Sequence, residues 1–155
     1  MDENLIKYLN KHKINYKIHK HSAVFTVEQS KSLNAEIPGT FHTKNLFLKD
    51  EVNNFYLVCM NAYKRLDLKN LKQKLNAKKK LYFASKKELK EKLNVTPGSV
   101  SIFGMIYARN VFLVIDKEIL EAESSGFHPN INTATLEIDK NNLKKFVSSL
   151  NTSPI

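Results

Sequence analysis

Three short segments of this sequence gather side chains that could do chemistry. The first is Lys44-Asn45, inside the apolar run Phe41 to Leu48. Residues of one parity share a face of a strand, so Lys44 lies with Leu46 and Leu48 while Asn45 lies with Phe47. A cation and an amide held against apolar walls are costly unless something polar satisfies them. The alternative is a lysine that snorkels to water from the strand end. The second segment is Thr96-Pro97-Gly98-Ser99-Val100-Ser101. Gly98 lets the backbone approach a ligand closely, and exposed amides beside small hydroxyls can hold a carbonyl or a hydroxyl. A plain turn ahead of an apolar segment has the same local pattern. The third, Phe127-His128-Pro129-Asn130-Ile131-Asn132-Thr133, collects an imidazole, two amides and a hydroxyl just before a strand. Sites are often built on such loops, although a satisfied histidine in a capped turn reads the same way.

Other catalytic signatures are missing. The four glycines, Gly39, Gly98, Gly104 and Gly126, are scattered, so there is no glycine-rich phosphate loop and no Gly-x-Ser-x-Gly elbow. His19-x-His21 on one strand face, with His42 or His128, could begin a metal site. Three or four ligands must converge for that, and nothing in the sequence shows convergence, so no metal or other cofactor is expected. Cys59 sits in Tyr56-Leu57-Val58-Cys59-Met60 and reads as a small buried hydrophobe rather than a nucleophile.

Charge points toward a polyanionic partner. Twenty-five Lys and Arg against fifteen Asp and Glu leave a net charge of +10, and Arg65 and Arg109 are the only arginines. Lysine is a compact, hydrated point charge suited to phosphate attraction more than to bidentate base reading. Lys69, Lys72, Lys78, Lys79 and Lys80, with Arg65 close by, are the candidates for such contacts; a solvated helix face is the alternative. The 155 residues are expected to form one domain, with 42% hydrophobic content arguing against disorder. No window approaches about 18 uninterrupted apolar residues, so no membrane span is expected. The N-terminus lacks the pattern of a signal peptide, and one cysteine suits a reducing cytosol. The expectation is a cytoplasmic protein, monomeric because no apolar stripe is left over.

The elements that must position these residues follow from periodicity. Leu5, Ile6 and Leu9 predict a helix over Asn4 to Ile14, and Tyr16 to His19 alternates like a strand. Thr26 with Gln29 reads as a capping box opening a helix to about Leu33, and Pro38-Gly39 as a turn. Phe41 to Leu48 and Phe55 to Met60 form a hairpin around Asp50 to Asn54. Leu68, Leu71 and Leu75 predict a helix from Asp67 to Lys80. Leu81 to Ala84 reads as a short buried strand, and Ser85 with Glu88 as a second capping box for a helix to about Leu93. Val111 to Asp116 is the most apolar strand and is expected at the centre of the sheet. Thr133 to Ile138 is another strand, and Asp139 caps a closing helix with Leu143, Phe146, Val147 and Leu150 at helical spacing. The fold class is α+β (mixed α/β), a single domain with a mixed-direction sheet.

Five segments occur in the order found in a known family: His21-Ser22-Ala23-Val24-Phe25-Thr26, Lys44-Asn45-Leu46-Phe47-Leu48, Arg65-Leu66-Asp67-Leu68, Gly98-Ser99-Val100-Ser101, and Phe127-His128-Pro129 with Asn132-Thr133. The chain resembles, from about Tyr16 to Leu150, the freestanding prolyl-tRNA-editing deacylases. Those are similar to the editing insertion domain of bacterial prolyl-tRNA synthetase and share the YbaK-like fold. The resemblance implies hydrolysis of the ester joining a wrong amino acid to tRNA for proline. The Lys-Asn-Leu-Phe-Leu and Phe-His-Pro forms are similar to the branch that removes alanine. Two departures stand out: Ile102 occupies a position where the family often has proline, and Tyr107-Ala108-Arg109-Asn110 lacks an acidic turn residue.

By resemblance, Lys44 would hold the terminal adenosine or its phosphate and orient the ester, and Asn45 would hydrogen-bond near the reacting carbonyl. Gly98, Ser99 and Val100 would contact the aminoacyl group, with His128, Asn132 and Thr133 lining the pocket. The terminal ribose hydroxyl would help activate water, so no general base is needed from the chain. The partners so implied are aminoacyl-tRNA and, transiently, prolyl-tRNA synthetase. The physics agrees: missing methylenes are worth only about 1–3 kcal/mol each, so a proline pocket cannot strongly reject alanine, and a second, smaller pocket reverses the problem. Three alternatives stand beside this reading: a non-catalytic aminoacyl-tRNA-binding module, a same-fold deacylase for cysteinyl- or seryl-tRNA, and a small-molecule sensor.

Overall fold

A computed structural model of the chain describes residues 2–23, 39–75 and 80–150. Among these residues seven strands make one sheet: β1 (Lys17–Lys20), β2 (Phe41–Lys49), β3 (Phe55–Asn61), β4 (Tyr82–Phe83), β5 (Val111–Ile115), β6 (Ser124–Phe127) and β7 (Ala134–Asp139). Their order is β1-β7-β6-β2-β3-β5, with β4 added to β2. The β2–β6 and β3–β5 pairs are parallel and the others antiparallel, so the sheet is mixed, as the intermingled pattern requires. Among the described residues five α-helices accompany it: α1 (Glu3–Lys11), α2 (Leu68–Lys74), α3 (Lys86–Leu93), α4 (Lys117–Glu121) and α5 (Lys140–Ser149). A 3-10 helix spans Ile102–Ile106.

The two sheet faces have different occupants. Phe47, Leu57, Leu113, Phe127 and Leu136 face the main core. There they meet Leu5 and Leu9 of α1, Ile102 and Phe103 of the 3-10 helix, and Leu143 and Phe146 of α5. On the opposite face, Leu48, Tyr56 and Val58 pack under Leu71 of α2 and Leu81. Each helix begins at a side-chain cap that satisfies an otherwise orphaned N–H: Asp2, Asp67, Ser85, Asp116 and Asp139. Ser85 and Glu88 form the reciprocal capping box that the sequence predicts.

Several elements differ from expectation, each for a local reason. The first helix starts at Glu3 behind the Asp2 cap and ends at Lys11, because Lys13 takes a left-handed φ of 56° and turns the chain so that Ile14 enters the core. α2 stops at Lys74, and Lys80 already lies in non-helical chain leading to β4. The strand expected at Leu81 to Ala84 pairs only at Tyr82 and Phe83, on the edge of β2; Phe83 is 59% exposed rather than buried. β5 is an edge strand, not the central one. Its unbroken apolar run arises because Val111, Leu113 and Ile115 meet the main core while Val114 packs against the second cluster; Phe112 is left 44% exposed. α4, β6 and the 3-10 helix carry no sequence signal long enough to be read. The helix predicted from Thr26 to Leu33 lies outside the described residues, as do Val24 to Thr26, Pro38, and Lys78 and Lys79.

Candidate active site

Strand alternation sorts the polar residues onto one sheet face. Cross-strand partners share a face, and the pairs His42↔Gly126, Gly126↔Glu137 and His19↔Thr135 run across four strands. Lys44 and Met60 sit opposite one another on the same side. The face away from the main core therefore carries His19, His42, Lys44, Thr135 and Glu137 around Gly126. Just beyond β1, His21 continues the ladder through its N–H to the Thr133 carbonyl (2.9 Å).

Gly126 is needed in this floor. A Cβ there would stand 3.0 Å from Thr135 Cγ2 and 3.4 Å from Thr40 Cγ2. The bare backbone lets β6 sit between β2 and β7, and the Thr43 hydroxyl donates to the Gly126 carbonyl at 2.6 Å.

The edge of β2 opens where Lys44 and Asn45 stand. β6 pairs with it at Phe41 and His42, β4 at Leu48 and Lys49, and the Ala84 N–H reaches the Phe47 carbonyl. Between them the edge at Asn45 has no strand partner among the described residues. Hydrogen-bonding direction alternates along a strand, so the N–H and C=O of Asn45 point the same way as those of Phe47, into the gap. The Asn45 side chain goes to the core side opposite Cys59, and its Oδ1 is buried without a hydrogen-bond partner among the described residues. An orphaned buried acceptor beside unpaired backbone marks a place prepared for a polar guest.

Lys44 is half-buried and enters no ion pair among the described residues. β6 pairs with β2 at Phe41 and His42; two residues beyond His42 and Gly126, and sharing their parity, stand Lys44 and His128. His128 is tied to the third segment, its Nδ1 donating to the Gly98 carbonyl at 3.0 Å. That bond places the proton on Nδ1, so the neutral ring offers a lone pair at Nε2. Burial pushes the His128 pKa down from 6.5; the Gly98 carbonyl opposes this, and His21 and His42 reinforce it. The His21 and His128 ring centroids are 6.3 Å apart. His21 is held in turn by Thr135 Oγ1 (2.9 Å) and by the Ser22 carbonyl (2.7 Å).

The glycine loop is bent by Gly98, whose φ of +90° suits a residue without Cβ. Ser99 is buried, its N–H closing a turn onto the Thr96 carbonyl, while Val100 packs against the main core. Ser101, fully buried, caps the 3-10 helix and contacts Asn130 Oδ1 at 3.4 Å. Asn130 donates to Asp2 and to the Phe103 carbonyl, so the histidine loop, the glycine loop and the start of α1 form one network that Tyr107 joins through Asp2. Asn132 is half-buried and the Thr133 side chain exposed.

The structure joins His128 to the Gly98 loop, while Lys44 and Asn45 stand on β2, the strand that neighbours β6. Arg65, Lys69 and Lys80 are exposed and Lys72 half-buried, and Arg65 and α2 lie outside this group. Cys59 is buried in the core, which drives its thiol pKa far above the ordinary value. Sequence reasoning missed Thr135 and the role of Gly126, named Asn130 only as part of the histidine segment, and weighed His42 only as a metal ligand. His42 was findable, because it shares the parity of Lys44 two residues on.

A family model, the aminoacyl-tRNA editing domain, matches residues 21–146. The chain belongs to this family. Among its curated relatives, prolyl-tRNA editing protein ProX of Acetoanaerobium sticklandii is 34% identical over 148 residues, covering 94% of this chain and 89% of that one. Prolyl-tRNA synthetase associated domain-containing protein 1 of Danio rerio is 33% identical, covering 88% and 75%. A crystal structure of a candidate trans-editing enzyme for prolyl-tRNA synthetase superposes with a TM-score of 0.72 at 16% identity, covering 100% of this chain and 96% of that one. The α+β architecture is that of these editing-domain structures. The matched span contains β2, the glycine loop and the histidine loop; it leaves out β1, the last turn of α5 and α1, and the Asp2 network anchors α1 to the two loops.

Proposed function

We propose that this protein is a trans-editing hydrolase that deacylates mischarged aminoacyl-tRNA, with Ala-tRNA for proline as its substrate. The observation that supports the reading is the gap in the β2 edge beside Lys44 and the orphaned Asn45 Oδ1, together with the bond that couples the Gly98 and His128 loops, in a chain of the editing family. An aminoacyl ester is already activated, so orienting it and stabilising the oxyanion suffice without a protein nucleophile. Water adds to the carbonyl carbon, the ester C–O bond breaks, and the departing ribose oxygen takes up the proton.

In this scheme Lys44 holds the terminal adenosine or its phosphate, and the backbone at Asn45 hydrogen-bonds beside the carbonyl. Gly98, Ser99 and Val100 shape the wall against the aminoacyl group, and His128, Asn132 and Thr133 close the pocket so that a methyl side chain enters and a proline ring does not. A neutral His128 suits that role, since an imidazolium would repel Lys44. The terminal ribose hydroxyl assists the water. Arg65, Lys69, Lys72, Lys78, Lys79 and Lys80 attract the acceptor stem, and the protein meets its substrate in the cytoplasm, in transient contact with prolyl-tRNA synthetase and as a monomer.

The test is a panel of tRNA for proline charged with alanine, cysteine, serine or proline and incubated with the pure protein. The reading requires fast release of alanine and retention of proline. Binding of every member of the panel with hydrolysis of none would establish a tethering module instead.

A further inference from the structure

We propose that the cavity between α2 and strands β3 and β5 is a second pocket, holding one unpaired nucleotide of the RNA substrate. This inference rests on the RNA-directed reading above and adds a subsite to it. The cavity measures about 450 Å³, within the range of ligand sites. Lys44, Asn45, Gly98, Ser99 and His128 are absent from its lining, yet Met60 in its wall is the cross-strand partner of Lys44. An RNA end seated at Lys44 therefore passes along the same sheet face.

Its floor is apolar: Val58, Met60, Leu66, Leu71 and Val114. Its rim carries Arg65, Lys74 and Lys117 against Asp67 and Asp116. Both carboxylates are already engaged as helix caps, Asp67 accepting from the Asn70 N–H and Asp116 from the Glu118 N–H, each at 3.0 Å. Arg65 and Lys74 enter no ion pair among the described residues, and Lys117 has only a long, exposed contact of 3.7 Å to Glu121. Two uncommitted cations over an apolar slot suit a flat ring bearing a phosphate. A guanidinium plane stacks on a splayed-out base, and the Asn70 amide on the rim can read its edge. A small inorganic anion would leave the apolar floor uncovered, and a base-paired nucleotide could not enter.

Two hairpin RNAs, one with an unpaired 3′ tail and one blunt, test this by fluorescence anisotropy against wild type, Arg65→Ala and Asn70→Trp. Both positions are exposed, so neither change disturbs the core. Asn70→Trp, which plugs the slot, is expected to weaken the tailed hairpin about tenfold, the scale of one lost base stack, and to leave the blunt hairpin unchanged. Arg65→Ala should weaken the tailed hairpin more than the blunt one. Equal effects on both RNAs, or none from Asn70→Trp, overturn the pocket. Titration with cytidine 5′-monophosphate supplies an independent readout: the methyl resonances of Leu66, Leu71 and Val114 should shift. If they shift while wild type hydrolyses no aminoacyl-tRNA, the pocket stands and the editing function falls. If hydrolysis proceeds and they stay still, the pocket falls alone.

Discussion

Gly126→Ala probes the floor of the site through a contact whose size can be worked out. The added Cβ would lie 3.0 Å from Thr135 Cγ2, tighter than most real Cβ contacts, and 3.4 Å from Thr40 Cγ2. Residue 126 is buried between β2 and β7, so the strain must be met by displacement of one of them. Overpacking of this kind costs about 1–3 kcal/mol. For a chain of this length that lowers Tm by roughly 2–12 °C. Thr135 also holds His21, so the displacement should reach the site. Thr135→Ser removes the offending methyl and keeps Oγ1; alone it should cost about 1 kcal/mol for the lost buried group. Combined with Gly126→Ala it should recover part of the loss, a coupling of about 0.5–3 kcal/mol in a double-mutant cycle. Urea unfolding of the four proteins measures this. Strict additivity would show that the strain does not arise at the Gly126–Thr135 contact and would refute the reasoning.

Further outcomes follow from the same geometry. The folded-state pKa of His128 lies below its ordinary 6.5, so the folded protein binds fewer protons there than the unfolded chain. Its contribution to stability is therefore complete above pH 6.5 and is lost as the pH falls through the folded value. An NMR titration of the ring protons should show the depressed pKa, and His128→Gln should flatten that part of the stability profile; a pKa above 6.5 would contradict the buried placement. Burial raises the pKa of Asp2, but hydrogen bonds from Tyr107, Asn130 and the Asn4 and Leu5 amides outweigh it and hold the group below 3.8. Its contribution is thus present above that pH and lost as the pH falls through the lower folded value. Asp2→Ala should cost about 1 kcal/mol, after discounting for partial exposure, and should loosen the histidine loop in hydrogen exchange. Cys59 should resist a disulfide reagent in the native protein and react on unfolding; fast native labelling would refute its burial.

The legible parts of the fold were those whose signal is local and repeated. The Phe41–Met60 hairpin, the Ser85–Glu88 box and the Asp139-capped closing helix all show in spacing alone, and the structure keeps them. β6 was not legible because Ser124-Ser125-Gly126 has little strand propensity; it is a strand only through its neighbours on both sides. α4 has five residues, too few to display a stripe, and the edge position of β5 depends on which distant segments cover it. In the site, the parity of Lys44 and Asn45 was readable, and the structure agrees that they go to opposite faces. The histidine face was not readable, because His21, His42 and His128 meet only through pairings between strands remote in sequence. Nor could the sequence show the gap in the β2 edge, which exists because β4 is short and β6 stops at Phe127.

The most direct test compares single-turnover hydrolysis of Ala-tRNA for proline by wild type and by Lys44→Ala, with circular dichroism confirming that both are folded. Release of alanine by the wild type and its loss in the variant, with Pro-tRNA untouched by either, is the predicted result. Equal rates in the two proteins would remove Lys44 from the chemistry, and with it the account of the open strand edge as the place where the ester is cleaved.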